Sequence, residues 1–181
     1  YGPKGIGALY VQQKPRIRIK PMSFGGGHER GMRSGTLPTH QIVGMGEAFE
    51  LSEKSRIAEQ ARIELLKNQL WNGICTIPGI CLNGHAKQRI PGNINIYFED
   101  LPSEELRRHL HEFAFSSTSA CSSSLNQASY VLKAIGLSSV KAQNAMRLSI
   151  GRFTTEKDIK QLTQSIHRAV NHMRDSNISR V

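Results

Sequence analysis

Helical segments with one apolar face alternate with short strand-like stretches through most of this sequence, and that order constrains the fold more than any other feature. Apolar residues recur at helical spacing in residues 55–72 and again after Thr155, where Glu156 and Asp158 occupy the first turn, as capping and the helix dipole favour. Further helices are predicted over residues 39–54, 106–113 and 130–135, and strands over residues 79–82, 94–98 and 146–152. Helices interleaved with short strands predict an α+β domain.

The first 36 residues have a different character. After a Gly/Pro turn, "GIGALYV" predicts a short buried strand that ends at Val11. In "PRIRIK" the cations Arg16, Arg18 and Lys20 alternate with isoleucine, the period of a strand with one charged face. Residues 24–36 carry five glycines and no apolar periodicity, so we expect a loop there.

The composition limits the classes of partner. The 24 Lys and Arg residues against 14 Asp and Glu give a net charge of +10, which suits phosphorylated ligands, acidic proteins or nucleic acid. With one tryptophan and no zinc-finger spacing, the sequence disfavours nucleic acid as the partner. No apolar run approaches the roughly 20 residues that a membrane helix needs, so we expect no membrane span.

Three cysteines, an odd number, argue against a disulfide framework and for a reducing compartment. The chain starts at Tyr1 without a methionine and is interpreted as a piece of a longer protein, so no targeting segment is observable. We expect Cys75 and Cys81 to be small core residues. Cys121 instead lies in the small, polar stretch "SSTSACSSSL", where it can be reached from solvent.

Four stretches together resemble the NifS- and IscS-like cysteine desulfurases: "YGPKGIGALYV", "GGGHERGMRSGTLPTHQIVGMGEA", "SSTSAC" and "RLSIGRFTTEKDI", in that order. The chain is similar to the C-terminal half of such an enzyme, which has the fold-type I architecture of pyridoxal phosphate (PLP) enzymes and is related to class V aminotransferases. The resemblance implies the last strand and connection of the large α/β domain in residues 1–20. It implies a Gly-rich, cofactor-proximal dimer loop and linker helix in residues 21–54, and the small C-terminal α+β domain in residues 55–181.

The same resemblance implies an activity and its site residues. Cys121 would be the nucleophile that takes sulfur from L-cysteine as a persulfide, leaving L-alanine, with PLP as the electron sink. Thr36 would bind the PLP phosphate of a neighbouring subunit, so the enzyme would be a homodimer. Arg147 would grip the α-carboxylate of the substrate. His28 and Arg33 would order the Gly-rich loop or lie at the rim of the site, with plain surface roles as the alternative.

The resemblance also implies partners. The sulfur would serve iron–sulfur cluster assembly and tRNA thiolation, delivered to an iron–sulfur scaffold protein or other acceptors, and Cys121 could transiently bind an iron–sulfur cluster. The basic residues Arg16, Arg18 and Lys20 would contact acidic partners such as frataxin or ferredoxin, with a solvated strand face as the alternative. No metal site is expected among the other residues.

The sequence departs from the family pattern at several points. The cofactor lysine of the family would lie just before Tyr1, and Lys4 belongs to the turn after it, so we expect the 181-residue chain to be inactive alone. Thr118 stands where the family has glycine. Arg107, Arg108 and His109 make one helix more polar than in relatives, which predicts an exposed face. The alternative function is a truncated, catalytically silent paralogue that acts as an interaction module.

Overall fold

A computed structural model describes residues 1–116 and 128–178 of the chain. The helices are α1 (Thr39–Ile74), α2 (Ser103–His109), α3 (Tyr130–Ala134), α4 (Ser139–Gln143) and α5 (Glu156–Ile178), and the strands are β1 (Ile80–Leu82), β2 (Asn93–Phe98) and β3 (Met146–Ser149). Internal contacts divide the chain into two units, Tyr1–Ile57 and Ala58–Val181. The α+β order predicted from the sequence is confirmed. The assignment of domains to residues 1–20, 21–54 and 55–181 stays a prediction.

The second unit contains an antiparallel sheet in the order β1-β2-β3, with β2 in the middle. One face of the sheet is apolar because its strands alternate at period two, and this face joins a single hydrophobic cluster with helices on that side. The cluster takes its buried side chains from β2 and β3 (Ile94, Ile96, Met146, Leu148), from α1 (Leu66, Leu70, Ile74), from α2 (Leu106, Leu110) and from α5 (Ile159, Ile166, Val170). This cluster is the core that holds the sheet in place.

Helix α5 begins as the sequence predicts. The backbone N–H and hydroxyl of Thr155 both donate to the Asp158 carboxylate at 2.8 Å, and the Asp158 N–H donates to the Thr155 hydroxyl at 3.2 Å. These reciprocal bonds satisfy N–H groups that a helix start leaves unpaired, and they hold the pKa of Asp158 below its usual value. The predicted apolar stripe is buried throughout: Ile159, Leu162, Ile166, Val170 and Met173.

Helix α1 is longer than the sequence suggests. Residues 39–54 and 55–72 were separate helices in the prediction, with Gly73 as the stop, but one helix runs from Thr39 to Ile74. Gly73 has a packing role instead, because a Cβ there would lie 2.7 Å from the Cγ2 atom of Thr163 on α5. The Gly73 carbonyl also lies 2.8 Å from the His167 Nε2 atom. The glycine therefore permits close contact between the two long helices.

The two strands predicted near the start of the chain are wrong. Residues 1–11 and 16–20 form no strand, and Tyr10 and Leu9 are largely exposed rather than buried. A strand is stable only when neighbouring backbone groups accept and donate its hydrogen bonds, and no such partner strand lies among the described residues. The Gly/Pro turn is instead held to α1 by a 2.7 Å bond from the Gln41 amide to the Lys4 carbonyl.

Two further expectations need correction. Cys75 is exposed rather than a core residue, since it lies in the turn after α1, where its Sγ atom is 3.7 Å from the Asn72 carbonyl, and Cys81 is only half-buried. Helix α4 is absent from the prediction, because no glycine follows it as Gly136 follows α3. Of the three polar residues of α2 predicted to be exposed, Arg108 and His109 are exposed, while Arg107 is half-buried. No helix in the described part of the chain is long and apolar enough to cross a membrane.

Replacement of Gly92 by alanine should destabilise the sheet. A Cβ at Gly92 would lie 2.1 Å from the Ile150 carbonyl oxygen, and the Gly92 carbonyl accepts a 2.8 Å bond from the Ile150 N–H. We expect Gly92→Ala to lower the free energy of unfolding by about 2 kcal/mol, as overpacking of a rigid backbone contact does. Denaturant unfolding measures this loss. Gly46→Ala on α1, where nothing lies within 4 Å of the new Cβ, should be neutral or stabilising.

The Asp100–Arg174 pair should make stability depend on pH. The Arg174 guanidinium donates to both oxygens of Asp100, at 2.8 and 3.1 Å, and lowers the pKa of that carboxyl. Stability from a lowered pKa is present above the unfolded-state pKa of about 4 and is lost as the pH falls through the lower folded-state value. The stability difference between the native chain and Asp100→Asn should therefore shrink in acid. Glu105→Gln, at an exposed position, should show no such trend.

Candidate functional site

The polar face of the sheet carries Arg147, at the second position of β3. Its side chain is exposed, because the neighbouring Met146 and Leu148 point into the hydrophobic cluster and Arg147 points the other way. Across the sheet its partner on β2 is Asn95. The guanidinium makes no hydrogen bond or ion pair with any described residue. Its five N–H donors are therefore available to an external ligand.

The backbone of Arg147 also pairs with Ser116, the residue at which the serine-rich segment begins. The Arg147 N–H donates to the Ser116 carbonyl at 2.8 Å, and the Ser116 N–H donates to the Arg147 carbonyl at 3.4 Å. This pair is an antiparallel bridge outside the three strands. Cys121, the predicted nucleophile, and Thr118 lie outside the described residues. Cys121 follows Ser116 by five residues in the sequence.

The end of β3 beyond Arg147 is held by Arg62, a residue of α1. Its guanidinium donates to the backbone carbonyls of Arg152 at 2.6 Å and Thr154 at 2.8 Å, with a longer contact of 3.4 Å to Gly151. A planar group with five donors suits three carbonyls that converge in one turn. The turn after β3 is thus fixed to the long helix, which sets the position of the strand that carries Arg147.

A second contact strengthens this connection. The Arg152 guanidinium contacts the Glu59 carboxylate at 2.7 Å through both Nε and Nη2, and both side chains are mostly shielded from water, at 31% and 19% exposed. Partial burial makes such a pair stronger than a typical surface ion pair. Both residues of α1 therefore hold the same turn. Glu59 binds the Arg152 side chain, and Arg62 binds backbone carbonyls of the turn.

The other end of the polar face is covered. Tyr97 on β2 is buried, the Lys141 Nζ atom lies 5.3 Å from the centre of its ring, and Cys81 is its partner on β1. A hydrogen bond with the Cys81 thiol raises the pKa of Tyr97. The open part of the polar face is therefore the part around Arg147 and Asn95.

In the first unit, residues 24–36 form the predicted Gly-rich loop, with one 3-10 turn at His28–Gly31. The Ser34 hydroxyl donates to the Gly26 carbonyl at 2.7 Å and closes the loop across eight residues. Gly35 has φ of +111°, a conformation that side chains rarely adopt, so the exposed Thr36 follows a position that favours glycine. The Thr36 hydroxyl makes no hydrogen bond to the described chain. A free hydroxyl beside a glycine is suited to donate to a phosphate oxygen.

His28 and Arg33 lie on the same loop. His28 begins a single 3-10 turn, His28–Gly31, and its ring is exposed. Arg33 is exposed and reaches the Gly35 carbonyl only at 3.5 Å. The loop therefore places a hydroxyl, an imidazole and a guanidinium within nine residues, a donor set that fits the phosphate group of PLP. The structure tests neither residue's role, and both assignments stay predictions.

The structure thus groups the predicted site residues in two places. Thr36, His28 and Arg33 share the Gly-rich loop, and Arg147 lies at the entrance to the segment that carries Cys121. Sequence reasoning missed Arg62, Glu59 and Asn95. The first two are separated by about 90 residues from the turn that they hold, and no local pattern signals such a contact. Asn95 belongs to a strand that was predicted, but its pairing with Arg147 depends on register.

The residues that the structure describes contain no group of three or more His, Cys, Asp or Glu side chains that could hold a metal ion.

Comparison with known proteins gives consistent matches over the length of this chain. Residues 1–162 match the family Aminotransferase class-V. Two relatives named "Cysteine desulfurase IscS", from Aeromonas hydrophila subsp. hydrophila and Acinetobacter baumannii, are 50% and 51% identical over 175 residues. These matches cover 97% of this chain and 43% of each relative. The chain therefore spans less than half the length of the curated relatives that it matches.

Solved structures show the same fold. A NifS-like protein superposes with a TM-score of 0.80 at 26% identity, over 94% of this chain and 44% of that protein. A NifS-like protein from Rickettsia africae superposes with a TM-score of 0.74 at 23% identity, over 86% of this chain and 41% of that protein, which shows the fold alone. The match of one family over 162 of the 181 residues, with these relatives beside it, means that the chain belongs to the class-V aminotransferases.

Proposed function

We propose that this chain is the C-terminal part of a cysteine desulfurase, which takes sulfur from L-cysteine as a persulfide on Cys121 and leaves L-alanine. The observation that carries the proposal is the backbone pairing of Ser116 with Arg147. Because of this pairing, the segment that carries Cys121 begins beside Arg147, whose guanidinium N–H groups bond to no described residue. The name of the relatives, at about 50% identity, supports the same activity.

Arg147 binds the α-carboxylate of the substrate in this proposal. A guanidinium offers two parallel N–H donors to a carboxylate, which fixes both the position and the orientation of a small amino acid. The rigid turn held by Arg62 and Glu59 keeps the strand of Arg147 in place. The substrate is therefore held at one end, and its sulfur is left free for Cys121.

Cys121 accepts the sulfur. Its thiolate forms a bond to the substrate sulfur while the bond from that sulfur to carbon breaks, so the enzyme gains one sulfur atom. Bound PLP supplies the electron sink for this chemistry. The serine and threonine neighbours of Cys121 give no steric shield, and this favours transfer of the persulfide sulfur onward to an acceptor.

Thr36 holds the PLP phosphate in the proposal, with Arg33 and His28 near the rim. Support comes from the free hydroxyl of Thr36 and from the closed Gly-rich loop around it. We further propose that the enzyme is a homodimer in which Thr36 serves the partner's cofactor. Each cofactor would then need residues from two chains.

The sulfur acceptors belong to the proposal as well. We infer that the persulfide sulfur is delivered to an iron–sulfur scaffold protein and is used for tRNA thiolation. We propose that this takes place in the bacterial cytoplasm or the mitochondrial matrix. The exposed cations Arg16, Arg18 and Lys20, on a segment that pairs with no strand of the described residues, support contact with acidic proteins such as frataxin or ferredoxin. Their attraction to an acidic surface should weaken with added salt.

The persulfide tests the proposal directly. The chain is combined with PLP and the N-terminal portion of a related desulfurase, given L-cysteine, and digested for mass spectrometry. We expect the added mass of one sulfur atom on the peptide that contains Cys121, and release of alanine. The chain without the N-terminal portion should release no alanine. A catalytically silent interaction module would release no alanine with or without the N-terminal portion.

Cysteine variants provide the controls. Cys121→Ala should abolish alanine release, because no other thiol replaces the nucleophile. Cys75→Ala removes an exposed thiol of the same chain and should leave the rate unchanged. Alanine release that survives Cys121→Ala, in a preparation that binds PLP, would contradict the assignment of the nucleophile.

Arg147 should act on substrate binding. Arg147→Lys keeps the charge but loses the planar two-point contact, so we expect KM for L-cysteine to rise by roughly tenfold or more. Steady-state kinetics of the reconstituted enzyme measures this change. Arg108→Lys, at an exposed position on α2, is the matched control and should leave KM unchanged. An unchanged KM in Arg147→Lys would remove Arg147 from the carboxylate site.

A further inference from the structure

The side chain of Asn95 lies beside Arg147 on the open part of the sheet. An antiparallel strand directs the N–H and C=O of one residue to the same neighbour. Those of Arg147 bond to Ser116, and the Asn95 carbonyl accepts from the Asn83 N–H at 2.8 Å. The backbone groups of Asn95 and Arg147 are therefore not hydrogen-bonded to each other. These two residues form a non-hydrogen-bonded pair of the β2–β3 ladder. In such pairs the Cα atoms are about 4.5 Å apart and the side chains approach closely.

The orientation of the Asn95 amide is set by a buried neighbour. The Asn83 side chain, 5% exposed, donates from Nδ2 to the Asn95 Oδ1 atom at 2.6 Å. Asn83 is held in turn, since its carbonyl accepts a 2.8 Å bond from Arg89. Because the oxygen of the Asn95 amide is occupied on the Asn83 side, its NH₂ group must point to the other side.

That NH₂ group is a free donor. It makes no hydrogen bond to any residue that the structure describes, and every buried side-chain nitrogen or oxygen in that part of the chain has a partner. The Asn95 Nδ2 atom therefore reaches solvent. On the same face of β2 and β3 as Asn95 lie Asn93, Tyr97, Arg147 and Ser149, and none of these side chains is a carboxylate. One cation with an adjacent amide donor is suited to a small monoanion.

We propose that Asn95 is a substrate-binding residue whose Nδ2 group donates a second hydrogen bond to the α-carboxylate held by Arg147. The inference rests on the proposed function, because the carboxylate is that of L-cysteine. Asn83 acts as a positioning residue, which presents the donor side of the Asn95 amide. Together they make a site for an amino acid with a free α-carboxylate, so cysteamine, which lacks that group, gains nothing from Asn95.

Asn95→Asp is the sharpest test. An aspartate has the same shape and still accepts the bond from Asn83, but it replaces the donor with a negative charge that repels the carboxylate and competes for Arg147. In the enzyme reconstituted with PLP and the N-terminal portion of a related desulfurase, we expect KM for L-cysteine to rise by more than tenfold. Titration calorimetry with L-alanine, which has the carboxylate but no thiol, should show the same loss of affinity.

Asn93→Asp is the matched control. It adds the same charge to the same strand and face, but its partner across the sheet is Ser149 rather than Arg147. We expect its KM for L-cysteine to stay within about threefold of the native value, since the half-exposed Asn93 lies one pair further along the sheet, where water partly screens its charge from Arg147. Inhibition by cysteamine should be similar in the native enzyme and in Asn95→Ala.

The outcomes separate this inference from the proposed function. If the native enzyme forms the Cys121 persulfide and Asn95→Asp binds L-alanine and L-cysteine as the native enzyme does, Asn95 has no role and the desulfurase assignment stands. An equal loss in Asn95→Asp and Asn93→Asp would also overturn the inference, because it would show a general charge effect. A native enzyme without persulfide formation would instead overturn the proposed function.

Discussion

The backbone pairing between Arg147 and Ser116 is the constraint on which the candidate site depends. Arg147 belongs to a strand that the hydrophobic cluster holds on its inner face, while Ser116 begins the segment that carries Cys121. Two hydrogen bonds connect these parts, so the packing of the core determines where the cysteine-bearing segment starts.

The turn after β3 shows how distant residues support this arrangement. Arg62 and Glu59, both on α1, hold the turn through backbone carbonyls and through Arg152. The sheet pairing and the helix contacts fix the strand from different sides. A side chain on such a strand loses little further freedom when it binds a ligand, which favours tight and oriented binding.

Much of the fold was predictable from the sequence. Helices α3 and α5 and strands β1 and β2 lie within one or two residues of where apolar periodicity and capping residues indicate them, because those signals act within one or two turns of the chain. Helix α2 ends at His109 rather than at residue 113, and β3 ends at Ser149 rather than at residue 152. The errors have a common cause. The predicted strands before residue 21 have no partner strand among the described residues, and the exposed Cys75 shows that residue type alone does not decide burial.

The sequence by itself determined the α+β order, the Gly-rich loop, and the family resemblance that singles out Cys121, Thr36 and Arg147, since these follow from residue types at short spacing. Only the tertiary structure decided which residues surround Arg147. The register of β2 against β3 places Asn95 beside it, and the packing of α1 brings Arg62 to the turn that follows. Such contacts join residues about 50 to 90 positions apart, and their free energy comes from a core that forms only when the whole unit folds.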